Sequence, residues 1–545
     1  MKVNNYISML FLAGAAMIAS CSQNEELGGD NPDALQGFQI SVSDKGFADM
    51  DKGETRAVES GYATRFSNGD AIGVFAVKGD VVVEAIRNRQ FTMEDGIWVL
   101  SDGGDDIEYK GSEFERMKFY AYYPYNKNVI FDPTAVTNPF EEYIKKWTIG
   151  ADQGEGNYTK YDLMTSTGTV KGDRLKGQIA FDMKHEMALA VVKMPKLTYS
   201  FTNGGIDDYS MSIAAGSFTL NNAAATPYYQ ATTDTYRFLV NPNKEFLVKG
   251  TYTGVNEMEY EAKGTLESGT AKMYTIEDKS KINHTLQVGD YFCADGKIVS
   301  VDTDESNLPD NVIGIVCYVG NPQPSVTHPE LYSAEIDALR RDFPACTHGI
   351  VLSTKNSLIK DDEQNDIVLQ IFHSSKSGYY SDWFNSDEDW KDKFVGCNTE
   401  KDANKNDASK VFPALMGYNN TKILTMCYEG MGSTSTCDYV YDYIMAYRKA
   451  EAVPFGVTPW YLPSVMCWDQ VAKNMNGING SLQKVNGDKM VTSDLPVKNK
   501  ATGHYWSSTQ RSAVNQWTHS MGNGSFHVTC ERASCAGYFR MMLAF

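Results

Sequence analysis

The sequence predicts a mainly β fold, with two β-sandwich domains over residues 57–196 and 197–285 followed by an α+β domain over residues 286–545. Three observations carry this. As far as residue 285, short apolar stretches rich in aromatic and β-branched residues recur between Gly, Asp and Asn turns, and helical periodicity is hardly visible. From Leu286 onward the texture changes: six of the eight Trp and nine of the ten Cys lie there, with two helical stretches. The 545 residues also suffice for roughly three or four domains, each burying a core of its own. Apolar residues at 42% and 45 Gly suit a folded chain of strands and turns. With 69 acidic against 50 basic residues, the net charge of −19 argues against nucleic acid or an anionic membrane surface as a direct partner.

Residues 1–21 read as a lipoprotein signal peptide. The apolar run from Tyr6 to Ser20 is fifteen residues long, too short to span a bilayer and suited to a signal-peptide core. It ends in "MIASC", small residues before Cys21 in the pattern of a bacterial lipobox, so Cys21 is the expected lipidated residue; an ordinary signal peptide with a chance Cys is the alternative. Acyl chains on Cys21 would anchor the chain firmly without a spanning helix, each buried CH₂ contributing about 0.8 kcal/mol. The membrane is then a partner only through the lipid.

Residues 22–56 form a polar leader with one strand-like stretch, "GFQISV", where Phe38, Ile40 and Val42 alternate with polar neighbours. Period two marks a half-buried strand in need of a sheet. Arg56, before small Ala57 in a turn-prone setting, is an accessible site for an arginine-specific protease.

Strands follow at "AIGVFAV" (71–77), "MKFYAYYPY" (117–125), "GQIAFDM" (177–183) and "ALAVVKM" (188–194), then at "GSFTL", "YRFLV" and "KEFLVKGTY". In the last domain Val440, Ile444 and Tyr447 fall on one helix face. Val465, Trp468, Ala472 and Met475 do the same after Ser464, a suitable N-cap. A polar stretch between His373 and Asp407 carries Trp383, Asp387, Glu388, Asp389 and Trp390, a set that could stack an aromatic ring on a sugar and hydrogen-bond its hydroxyls.

The leader together with "TRA" at 55–57, "NGDAIGVFA" at 68–76, "FYAYYPY" at 119–125, "YDLMTS" at 161–166 and "IAFDMKHEMALAVVKM" at 179–194 resembles the fimbrillin (Mfa-like, type V pilin) lipoproteins of Bacteroidales. The likeness covers residues 1–285. "VGDYFCADGKIV", "IGIVCYVGN", "HGIVLS", "WYLPSVMCWDQV", "YWSSTQ" and the ending "YFRMMLAF" look like C-type-lectin-like domains at the ends of some fimbrial proteins. The resemblance implies transthyretin-like sandwiches, acylation at Cys21, a protease cut between Arg56 and Ala57, displacement of the strand carrying Phe38, Ile40 and Val42, and its replacement by a strand from another fimbrial subunit. It further implies an exported lipoprotein of the outer membrane and cell surface or pilus tip, with a head for a glycan or protein ligand. The apolar tail Gly537–Phe545 is then expected to close the head beside "VGDYFCADG".

Catalysis finds little footing. No G-x-S-x-G, H-E-x-x-H, P-loop or dinucleotide fingerprint occurs. His185 beside Glu186 reads as a hydrogen-bonded structural residue, and the Cys346/His348 pair lacks an orienting third group. The cysteine spacing has no zinc pattern, and the E-P-N and W-N-D tripeptides of calcium-dependent lectins are missing, with "NPQPS" at 321–325 a turn. No enzyme activity, cofactor or metal is therefore expected. The expectation is a fimbrial tip subunit and adhesin; a surface-anchored binding lipoprotein that never polymerises, and an enzyme on a lectin-like scaffold, are the alternatives.

Overall fold

The computed structural model describes residues 35–50 except 38, 62–110 except 64, 116–167, 178–356, 359–360, 366–367, 393–394, 413–431, 438–491, 504–511, 515–521, 528–531 and 537–545. Cys21, Phe38, Arg56, Ala57, Trp383, Asp387, Glu388, Asp389 and Trp390 lie outside these residues. Among the described residues the fold is mainly β, at 38% strand and 18% helix, and every helix of nine or more residues falls between Gly417 and Lys484. It divides into two compact units. One comprises Met1–Ala190, Phe238–Phe246 and Gly264–Lys272; the other comprises Val191–Arg237, Leu247–Lys263 and Met273–Phe545.

In the first unit the strands run, from edge to edge, Gln39–Asp44, Gln178–His185, Met164–Thr167, Met117–Tyr123, Ala71–Lys78, Arg89–Glu94 and Ile97–Leu100. The pairings among the last six are antiparallel; Gln39–Asp44, the leader strand, joins parallel. The sheet curls until the leader strand meets Ile97–Leu100, around a cluster including Ile72, Val74, Phe91, Trp98, Phe119, Ala121, Ile179, Phe181 and Met183. The unbroken apolar run of Ala71–Lys78 is explained by burial on both faces. Ile72, Val74 and Ala76 face the cluster, and Phe75 on the other face stacks on Phe131 at 4.1 Å.

In the second unit Lys196–Phe201 pairs with Tyr209–Ser212 on one side and Lys281–His284 on the other. Tyr199 and Tyr209 donate their hydroxyls to the carbonyls of Ile298 and Gly296, so residues near 200 and near 297 share one compact unit. A five-stranded sheet follows in the order Ile298–Val299, Tyr291–Cys293, Val312–Val319, Gly349–Ser353 and Met542–Ala544. Here one expectation is corrected. The tail strand does not lie beside "VGDYFCADG", because Tyr291–Cys293 already has a neighbour on each side; it occupies the edge of Gly349–Ser353, pairing Ala544 with Ile350 and Met542 with Leu352.

The helical faces follow the sequence with one shift. Ser464 caps Val465–Lys473 by accepting the Cys467 N–H; Val465, Trp468 and Val471 are buried there, while Met475 begins a new helix, Met475–Lys484, after a break at Asn474. In Asp438–Ala450, Val440, Tyr443 and Ile444 are buried. "WYLPS" and "YWSS" are joined directly: Ser508 N–H donates to the Pro463 carbonyl at 2.8 Å, Val465 N–H to Thr509 Oγ1, and the Trp468 indole to the Trp506 carbonyl. Trp460, Tyr461, Trp506 and Ser507 are all buried. The pair forms a core join.

Candidate functional site: the leader strand and its cleft

The leader strand closes one edge of the curled sheet. Its inward row is Ile40, Val42 and Asp44, set by period two against Ile179, Phe181 and Met183 of the neighbouring strand. Ile40 and Val42 are half-buried and pack on the cluster of the curled sheet, as their alternation predicts. The outward Ser43 donates to Asp182 at 2.9 Å, and exposed Lys45 approaches the same carboxylate at 3.7 Å, a surface contact worth little.

Beyond Val42 the contacts change from apolar to ionic. The row of Ile179, Phe181 and Met183 continues to His185, whose ring is bonded on both nitrogens: Nδ1 lies 2.8 Å from an Asp162 oxygen and Nε2 lies 3.1 Å from an Asp44 oxygen. All three side chains are buried, at 1% exposure or less. Asp162 arrives from the end of the short helix Tyr158–Tyr161. Asp44 also accepts the Gly46 N–H at 2.8 Å. Gly46 has φ +75°, and a Cβ there would meet the Ala63 backbone at 3.0 Å, so only glycine fits the turn. That turn delivers Phe47, which is buried and stacks on the His185 ring at 3.7 Å. The chain then adds the two-residue strand Ala48–Asp49 parallel to Thr270–Thr275.

Burial by itself would depress the His185 pKa, but the Asp162 and Asp44 carboxylates outweigh it and raise the value to about 9. Glu186, beside His185, is itself shifted up, chiefly by burial. The folded-state value exceeds the ordinary 6.5, so this cluster contributes stability that is complete below about pH 6.5 and lost as pH rises through about 9. The thermal midpoint of the wild-type chain is therefore expected to fall between about pH 7 and pH 9.5 by more than that of His185→Gln; equal falls would remove His185 from the cause.

The sequence found Ile40 and Val42 and read His185 as a hydrogen-bonded residue, but it missed Asp44, Phe47 and Asp162. Asp44-Lys45-Gly46-Phe47 directly after a period-two strand is an Asx-turn signal that could have marked the end of the leader's grip. The other singled-out groups have separate partners. Burial pushes the Cys346 thiol up to about 12; it donates to the Gly456 carbonyl, while His348 Nε2 lies 3.3 Å from the Asp208 carbonyl oxygen. In "NPQPS" the Asn321 side chain accepts the Gln323 N–H, and Pro324 and Ser325 open the short helix Pro324–Thr327 instead of completing a turn. Among the described residues no cluster of three or more His, Cys, Asp or Glu is arranged to hold a metal.

These features place the first unit in the class of curled, mainly antiparallel β-sheet domains closed at one edge by a short parallel strand. The comparisons make the class specific. Residues 55–290 match a family described as Fimbrillin-like, the Mfa-like family. The chain is 31% identical over 527 residues to a Bacteroides ovatus protein named "Putative fimbrium tip subunit Fim1C", covering 93% of each chain. A crystal structure of a fimbrial protein from Bacteroides ovatus is similar with a TM-score of 0.53 and 28% identity, covering 94% of this chain and 100% of that one. The chain belongs to the Mfa-like fimbrillin family.

Proposed function

We propose that the chain is the tip subunit and adhesin of a surface fimbrium. It is exported as a lipoprotein acylated at Cys21, loses its leader by a cut between Arg56 and Ala57, accepts a strand from a neighbouring subunit into the vacated cleft, and presents residues 286–545 as a lectin-like head. The loop carrying Trp383, Asp387, Glu388, Asp389 and Trp390 is the proposed contact with a glycan or protein ligand.

The carrying observation is the contrast between the two ends. The leader strand Gln39–Asp44 sits at a sheet edge with a single hydrogen-bonded neighbour, its apolar row half-buried and its far end held by the Asp44–His185 contact and the Phe47 ring; the tail strand is buried and hydrogen-bonded within its own unit. An edge of unpaired ladder groups and apolar pockets is favourable to fill with a strand, and a chain whose tail is retained can accept but not donate, which suits a fibre end. The name of the Bacteroides ovatus relative supports the same role. N-terminal sequencing of assembled fibres should give Ala57, and immunogold should label fibre ends. Material still beginning at Cys21 would sink the processing step, shaft labelling would refute the tip role, and absence from sheared fibres would favour a non-polymerising lipoprotein.

A further inference from the structure

We propose that the strand replacing the leader is selected by charge: it must carry a carboxylate two residues beyond its second inward apolar residue, where Asp44 stands, and an aromatic ring three residues further on, where Phe47 stands. This rests on the strand-exchange role proposed above and names the chemistry of the partner.

The cleft itself sets these requirements. Removing the leader takes away Ile40, Val42, Asp44 and Phe47 together, because all precede residue 56. Apolar pockets against Phe181 and the cluster would accept many alternating strands, since period two is generic. His185 is different. It is buried, its Nδ1 is engaged by Asp162, and its Nε2 is directed at the leader's carboxylate. With Asp44 gone, Nε2 faces an empty lane, and an incoming apolar or amide side chain would leave a buried cation with one charged partner or force its deprotonation. An incoming Lys or Arg would place like charges together. A carboxylate restores both charge-assisted bonds, and an aromatic ring at the Phe47 position restores the face that His185 stacks on. The donor pattern is apolar-x-apolar-x-Asp/Glu-x-x-aromatic, as Ile40, Val42, Asp44 and Phe47 are spaced in the leader itself.

The leader thus acts as a stand-in for the donor in chemistry as well as in shape, and a subunit whose strand lacks the acid is rejected at this cleft. Specificity arises through an uncompensated buried charge rather than through shape alone.

The test uses the full chain nicked after Arg56, with a fluorescent leader retained in place, and synthetic peptides of residues 37–50 as competitors. The native peptide is expected to displace the leader at about one tenth the concentration needed by the Asp44→Asn peptide, the ratio set by one hydrogen bond to a charged group, and the Asp44→Lys peptide should be weaker still. In a His185→Gln chain the native and Asn peptides should become equal. Equal potency of Asp and Asn peptides on the wild-type chain overturns the charge selection while leaving strand exchange intact. Displacement by no peptide at any concentration overturns both. Because the decisive comparison varies only the peptide, it stands even where His185→Gln folds poorly.

Discussion

Deletion of Gly537–Phe545 from the full chain is expected to abolish the cooperative unfolding transition of the second unit. Phe539, Met541, Met542, Leu543 and Phe545 are all 2% exposed or less. Full burial contributes about 1.5–3 kcal/mol for each such side chain, so the five together are worth on the order of 10 kcal/mol, comparable to the whole stability of a typical domain, about 5–15 kcal/mol. The tail also ties distant segments together. Besides its pairing with Gly349–Ser353, Met542 exchanges backbone hydrogen bonds with Tyr461, Ala544 accepts from Thr458, and Tyr538 is bonded to both His504 and Trp506. Arg540, fully buried, donates to the carbonyls of Ser353, Thr354 and Asp488. The Phe545 ring rests on Tyr209, Phe292 and His348. Near-ultraviolet circular dichroism and limited proteolysis of the deletion variant check this: loss of aromatic signal and rapid cleavage within residues 286–536 are expected. A variant that keeps its transition while fibres shorten would show the tail to be a strand lent to a neighbour.

What could be read in advance divides along the range of the interactions. Ile40 and Val42 were legible because period two is local, and Val465 and Trp468 because helical periodicity and the Ser464 cap are local too. The break at Asn474 was not, since Met475 keeps the spacing of the preceding face while starting its own helix. "WYLPS" and "YWSS" stood out as words, but their joining through Ser508 and Pro463 spans a long loop of sequence. The tail's apolarity announced a buried strand, but the neighbour expected for it, "VGDYFCADG", was the wrong one, because pairing depended on which strand edge the sheet left open. The cleft was the least legible feature. Asp44 lies 141 residues from His185, and Asp162 lies 23 away, so no window on the sequence contains the three, and each alone is an ordinary residue. A histidine at the end of an apolar strand states only that it needs partners.

His185→Ala is expected to destabilise the first unit by roughly 3–5 kcal/mol, the range found when one partner of a buried ion set is removed. The apolar grip of the leader cannot absorb that loss: Ile40 and Val42 are only half-buried, so each contributes less than the roughly 1.5–3 kcal/mol of full burial. Two carboxylates would remain in the interior with no imidazolium between them, and Phe47 would lose the ring it stacks on. The strand Gln39–Asp44, with a single hydrogen-bonded neighbour at the sheet edge, is where relief is easiest; residues 39–47 should therefore detach before the rest of the sheet unfolds. Denaturant unfolding at about pH 6, with the cluster charged, measures the loss, and proteolysis of the uncut leader reports detachment. Asp44→Ala in the same assay should cost less, because Asp162 still holds the imidazolium, and the double variant His185→Ala/Asp44→Ala should recover part of the single-variant loss by removing the stranded Asp44 carboxylate. Additive losses would mean that the two side chains act independently and that the leader is held by its apolar row alone. Recovery would mean that the charge holding the leader in place is also the charge that any replacement strand must satisfy.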